Sequence, residues 1–258
     1  MAGLRLDRHG DVAELVIDRP EKRNAMSHEM WSSIPALAAE ADADESVKVL
    51  VLRGAGPHFC AGADIGEFRT RRATAESARD YGERVEAAAH ALSGMAKPSI
   101  AMVQGFCIGG GCELALACDM RFADSSAEFA ITPAKLGIVY GFDSTRRLVA
   151  TTGPAFAKYL LFSGERVDAA HALRVGLIDR LVEPADLQKT TADFATTIAG
   201  RSQVSVRGAK LLIEKIVAGE DVPDEEASSL PLRAVESDDY REGVDAFLAK
   251  RPPVFRMR

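Results

Sequence analysis

The chain has little with which to build a metal or disulfide site. Its 258 residues include four cysteines, Cys60, Cys107, Cys112 and Cys118, and no CxxC pair. They read as small buried thiols in a reducing compartment. The five histidines, His9, His28, His58, His90 and His171, are scattered, and neither HExxH nor GxSxG occurs. No metal centre and no nucleophilic serine are therefore expected. Lys and Arg number 32 against 38 Asp and Glu, a net charge of -6 without a basic stripe. Nucleic acid is not an expected partner, and any anionic ligand must be held by local donors. No apolar run reaches the ~18 residues of a membrane span, and MAGLRLDRHGD lacks the apolar core of a secretory signal. The expectation is a cytoplasmic protein with no membrane partner.

What the chain does have is ordinary globular material, 47% hydrophobic and 27% charged. DVAELVIDRP (11–20) reads as a strand closed by Pro20. Ser27 is placed to cap a helix through about residue 43, with Met30, Ile34, Leu37 and Ala38 at helical spacing. VKVLVLRGAG (47–56) and PSIAMVQGF (98–106) are nearly continuous apolar strands, the kind buried on both faces. Residues 74–95 carry helical periodicity. MRFADSSAEFAI reads as further strand, and LIDRLVE (177–183) as the last one. Residues 187–250 are mostly helical. The prediction is one α/β core over 1–195 and a helical region over 196–258.

The stretch GFCIGGGCELALACD (105–119) raises the functional question. A P-loop needs GKS or GKT after its glycines. A GxGxxG turn opens an N-terminal βαβ unit, and a carboxylate at the helix start repels phosphate. Two readings remain. In one, Gly109 and Gly110 take positive φ and Gly111 permits close helix–strand packing. In the other, a strand delivers the chain to a helix starting near residue 111, whose free N–H groups receive a developing oxyanion. Glu113, between Cys112 and Leu114, then stands beside that oxygen as an acid/base. The loop HFCAGADIGEF (58–68), with Ala61, Gly62 and Ala63, offers the second donor.

Together these loops resemble the crotonase, or enoyl-CoA hydratase/isomerase, superfamily. RPEKRNAMS (19–27), VLRGAGPHFCAGADIGEF (51–68), KPSIAMVQGFCIGGGCELALACD (97–119), AKLGIVYGFDSTRRL (134–148) and DAFLAKRPPVF (245–255) occur in family order and spacing. The resemblance implies an α/β spiral of repeated ββα units, with C-terminal helices that build trimers, often paired into hexamers. It implies an acyl-CoA substrate, with coenzyme A part of that substrate and no separate cofactor. It makes the N–H groups of Ala63 and Gly110 the oxyanion hole and Glu113 the acid/base. Arg23, Ala25, Ala61, Asp64 and Ile65 match the segments that line coenzyme A. Phe247 and Lys250 match a C-terminal segment that reaches a neighbouring subunit's coenzyme A.

One departure stands out. Family hydratases use a second glutamate in a segment like FGLPEVKLG. Here the segment reads AITPAKL, and that position falls on Pro133, with Thr132 and Ala134 on either side. Hydration is the default expectation, and the missing carboxylate favours reactions that one carboxylate can run. Those are isomerisation and decarboxylation of a malonyl-type thioester. A non-catalytic acyl-CoA binder is the contrasting class. Tyr140 resembles a tyrosine of decarboxylating relatives, although those carry His where this chain has Ala63. Its other reading is a core aromatic with a satisfied hydroxyl. Asp143 is expected to cap the helix that follows, and His58 to lie outside the chemistry.

Overall fold

The computed structural model describes residues 3–255. Strands β1 (Leu4–His9) and β2 (Val12–Ile17) form an antiparallel hairpin, and α1 (His28–Ala43) follows. The Ser27 side chain accepts from Met30 N and caps α1, as the sequence predicts. Next come β3 (Val49–Gly54), the short α2 (Phe68–Arg71) and α3 (Ala75–Ser93). Then β4 (Ser99–Val103), β5 (Phe106–Ile108) and α4 (Gly110–Ala117) follow. The next turn of chain holds β6 (Met120–Asp124), β7 (Glu128–Ala130) and α5 (Phe142–Ser163), the last broken at Gly153. After these come β8 (Val167–Asp168), α6 (Ala169–Arg174) and β9 (Arg180–Val182). Helices α7 (Leu187–Ala199), α8 (Gln203–Val217), α9 (Glu225–Glu236) and α10 (Asp238–Leu248) complete the chain.

The large sheet runs β1-β2-β3-β4-β6-β9 and is parallel from β2 onward. A small sheet runs β5-β7-β8. Single bridges, Cys60 to Cys107 and Met26 to Ala63, carry the small layer back toward the start of the chain. Each turn of chain thus gives a long strand to one layer, a short extended segment to the other, and then a helix. That is the expected ββα spiral.

Burial of both faces explains the apolar strands. Leu50, Leu52, Ala101 and Val103 face the main core. Val49, Val51, Ile100 and Met102 alternate with them and face a second cluster, closed by Leu187, Ala195 and Ala199 of α7. The segment expected as one strand after residue 119 is two, β6 and β7, because Ser125 and Ser126 turn the chain between them. Only Arg180–Val182 of the expected 177–183 strand pairs. The polar edge strand β1 is an element the sequence reading missed. Among the described residues, no helix is long and apolar enough to cross a membrane.

Asn24 ties the first turn of the spiral to the second. It is fully buried and takes the left-handed conformation, φ 58°, which Asn tolerates better than most residues. Its Oδ1 accepts from Arg19 N at 2.9 Å, and its Nδ2 donates to Ala55 O at 2.8 Å and His58 O at 2.6 Å. The 58–63 loop is therefore anchored by one side chain. Asn24→Ala strands these buried groups and is expected to lower stability by more than about 2 kcal/mol. Urea unfolding measures this, and a midpoint equal to wild type would contradict it.

Candidate active site

Strand β5 delivers the chain to Gly109, whose φ of 55° turns it into α4. Gly109 thus has the expected positive φ, whereas Gly110 is already helical. Gly111 serves close approach: a Cβ there would lie 2.3 Å from the Cys60 carbonyl oxygen. The glycines therefore press α4 onto the 58–63 loop. That loop is held by Met26 N donating to Gly62 O at 2.7 Å and Asp64 N donating to Met26 O at 2.8 Å. Between these bonds the N–H of Ala63 is left over. Neither it nor the N–H of Gly110 has an acceptor among the described residues. The two groups are neighbours, since a Cβ on Gly110 would stand 3.6 Å from Ala63 N. Both residues line one cavity of about 300 Å³, together with Glu113.

Glu113 sits in the first turn of α4 and is 6% exposed. Burial pushes its carboxyl up to about 7, against the opposing pull of the Ser144 hydroxyl and the Arg147 guanidinium, while Glu86 adds to the rise. Ser144, in the first turn of α5, is itself buried and donates to Glu113 Oε1. A carboxyl so placed can both accept and release a proton near neutrality. Ser144 has no motif to mark it, because only the packing of α4 against α5 brings it to Glu113.

Tyr140 lines the same cavity, and burial holds its phenol proton tightly, with the charge of Glu113 adding to the effect. Its hydroxyl is buried without a hydrogen-bond partner among the described residues, so the expectation of a satisfied hydroxyl fails. Asp143 is not the cap of α5. The helix starts at Phe142 with Gly141 in the cap position, and Asp143 pairs with His90 Nε2 at 2.8 Å instead. Pro133 opens a 3-10 turn on the cavity wall and brings no carboxylate.

The remaining wall comes from helices. Trp31 of α1 donates its indole N–H to Tyr81 OH of α3 at 3.2 Å. Arg72 lies over the rings of Phe68 and Tyr81, at 4.8 Å and 5.4 Å. Val85 and Glu86 complete the α3 side. The sequence reading places part of the pocket within 70–95 but names none of these residues individually. The available signal was Tyr81, Val85 and Glu86 within about one turn of a periodic helix.

Arg23, Ala25, Ala61, Asp64 and Ile65 gather at one rim. Ala61 N donates to Arg23 O at 3.0 Å, and Arg19 joins Ala25 O at 3.2 Å to Asp64 at 2.8 Å. Ala61 and Ile65 reach the cavity lining. Asp64 is committed to Arg19 and to Gly66 N, so it shapes the rim. Phe247 and Lys250 are not at this cavity. Phe247, on α10, is 83% exposed and lines a separate groove. His58 accepts from Phe106 N at 3.2 Å and stacks on that ring, which fixes the start of β5.

The raised pKa of Glu113 has a stability consequence. Its folded value lies above its unfolded value, so its contribution is fully present below about pH 4.5 and is lost as pH rises through about 7. Glu113→Gln removes that loss. The variant is expected to gain roughly 2–3 kcal/mol over wild type at pH 8.5 and to lose the difference toward pH 4.5. Unfolding curves at both pH values measure it, and a pH-independent difference would refute the shift.

Comparison with known proteins places the chain in a family. The enoyl-CoA hydratase/isomerase family model matches residues 7–258. The crotonyl-CoA hydratase of Syntrophomonas wolfei is 34% identical over 257 residues, which are 97% of this chain and 96% of that protein. The short-chain-enoyl-CoA hydratase of Clostridium acetobutylicum is 34% identical over 251 residues, 95% of this chain and 94% of that one. Among solved structures, an enoyl-CoA hydratase/isomerase family protein from Hyphomonas neptunium superposes with a TM-score of 0.96. It is 44% identical, and the match covers 99% of this chain and 98% of that one. On its sequence and on the fold that builds this cavity, the chain belongs to the enoyl-CoA hydratase/isomerase family.

Proposed function

We propose that this protein hydrates the conjugated double bond of an enoyl-CoA thioester. One observation carries the reading: the partnerless N–H groups of Ala63 and Gly110 open into the same cavity as the buried carboxyl of Glu113. The thioester oxygen accepts from both N–H groups. Charge that develops on it is stabilised by donors already in place, each typically worth 10²–10³ in rate. Glu113, one turn along α4 from Gly110, exchanges a proton with the neighbouring carbon. Tyr140 offers a hydroxyl to the same space. Pro133 is proposed to occupy the place of the family's second glutamate.

Coenzyme A is proposed to lie along the rim formed by Arg23, Ala25, Ala61, Asp64 and Ile65, with Phe247 and Lys250 reaching the coenzyme A of a neighbouring subunit. The helical region expected over 196–258 is proposed to form a homotrimer or a pair of trimers. Large apolar side chains support this: Ile216 is 69% exposed, Leu232 71% and Leu248 74%. The cytoplasm is the proposed compartment, on the sequence grounds given above. A binding-only role fits poorly, because a buried carboxyl costs desolvation and adds little to recognition of a thioester.

The test is crotonyl-CoA incubated with the protein in deuterated water, followed by mass spectrometry. Hydration predicts gain of a whole water. Deuterium gain without water would replace this reading with an isomerase, and an unchanged thioester would overturn it. Glu113→Gln is expected to lower turnover about 10²–10⁴-fold. Its affinity for butyryl-CoA should stay within about threefold, since no change in the oxyanion donors accompanies the substitution.

A further inference from the structure

Hydration has two proton transfers, and Glu113 accounts for one. Water must lose a proton as its oxygen bonds to the β carbon, while the α carbon gains one. Glu86 meets the geometric demands of the unassigned role. It projects from α3 into the wall of the cavity that Glu113, Ala63 and Gly110 also line. Its Oε1 stands 3.2 Å from the place a Cβ on Gly141 would take, so the bare backbone of Gly141 gives the carboxylate room. It is half-buried.

Its charge is uncommitted. Several charged groups around it have partners of their own. On α3, Asp80 binds Arg84 and His28, and His90 binds Asp143. Arg147 of α5 donates to Ser93. Arg72 lies over the rings of Phe68 and Tyr81. The Glu86 side chain makes no hydrogen bond or ion pair with any described residue. Its charge also reaches Glu113 and favours the protonated form of that carboxyl.

Resting on the hydratase reading, we propose that Glu86 is the second catalytic carboxylate and that it replaces the acid absent at Pro133. The water oxygen bonds to the β carbon, and its proton passes to the Glu86 carboxylate. The π electrons move toward the thioester oxygen held by the N–H groups of Ala63 and Gly110. Protonated Glu113 then gives its proton to the α carbon as the enolate collapses. Proton exchange with solvent returns Glu86 to carboxylate and Glu113 to acid, so the net reaction adds one water. Two carboxylates on separate helices thus divide the work, one for the oxygen and one for the carbon.

The experiment compares wild type, Glu86→Gln, Glu86→Ala and Glu113→Gln on a series of trans-2-enoyl-CoA thioesters. Butyryl-CoA binding serves as the control for folding and recognition. The expected result is a hydration rate at least about a hundredfold lower in Glu86→Gln, with butyryl-CoA affinity unchanged. Added formate should restore part of the turnover of Glu86→Ala, because a small carboxylate can enter the space left behind. Hydration by Glu86→Gln near the wild-type rate, with Glu113→Gln inactive, overturns this assignment and leaves the hydratase reading standing. Loss of turnover and of butyryl-CoA binding together, without formate rescue, marks Glu86 as structural and also overturns it. A wild type that binds butyryl-CoA and hydrates none of the series overturns the hydratase reading and this assignment with it.

Discussion

The contact between Gly111 and the carbonyl of Cys60 is the constraint on which the site depends. A side chain at Gly111 would meet that carbonyl oxygen at 2.3 Å. Without the contact, α4 stands off from the 58–63 loop and the N–H groups of Ala63 and Gly110 part. The same carbonyl accepts from Ile108 N at 2.9 Å, and Cys60 N donates to Phe106 O at 2.8 Å. The loop and β5 are thereby paired as a strand on one side and pressed by a helix on the other. Backbone donors held this way need no reorganisation to meet a developing charge.

The electrostatics of the cavity follow from the same packing. Closing α4 against α3 and α5 removes water from Glu113, and desolvation, with a smaller push from Glu86, shifts its acid toward neutrality. Ser144 moderates the shift by donating a hydrogen bond, and Arg147 does so by its charge. The protein accepts a standing cost in stability, because a buried ionised carboxyl is unfavourable above neutral pH. Such costs are characteristic of reaction sites and are rarely met in a purely structural helix. The partnerless hydroxyl of Tyr140 belongs to the same pattern.

Rim and C-terminus divide differently. Residues from the 19–27 and 58–68 loops meet at the rim because Asn24 and Arg19 bond across both. The exposed apolar side chains of the C-terminal helices do not line this cavity. Lys210 of α8 anchors them to the core through Asp119 at 2.9 Å, and Asp119 also receives Ser99 N at 2.7 Å. One carboxylate therefore links the end of α4, the start of β4 and the helical region.

The sequence by itself determined the local elements and the backbone chemistry. Apolar runs at 47–56 and 98–106 could only be strands covered on both faces, and Ser27 could only help by capping a helix. Three consecutive glycines before Glu113 marked a helix start, with close packing and an oxyanion site as the two readings it allowed. These features are local, so periodicity and residue type were enough to read them. Tertiary structure decided which helices share the cavity. Ser144 and Glu86 lie 31 and 27 positions from Glu113 in the chain, and no motif joins them to it. The cap of α5 falls on Gly141, and the Asp143 carboxylate, already inside the first turn, pairs with His90 of α3. A side chain's surroundings are set by packing between elements distant in sequence, and the charge state and partners of a buried group are properties of those surroundings.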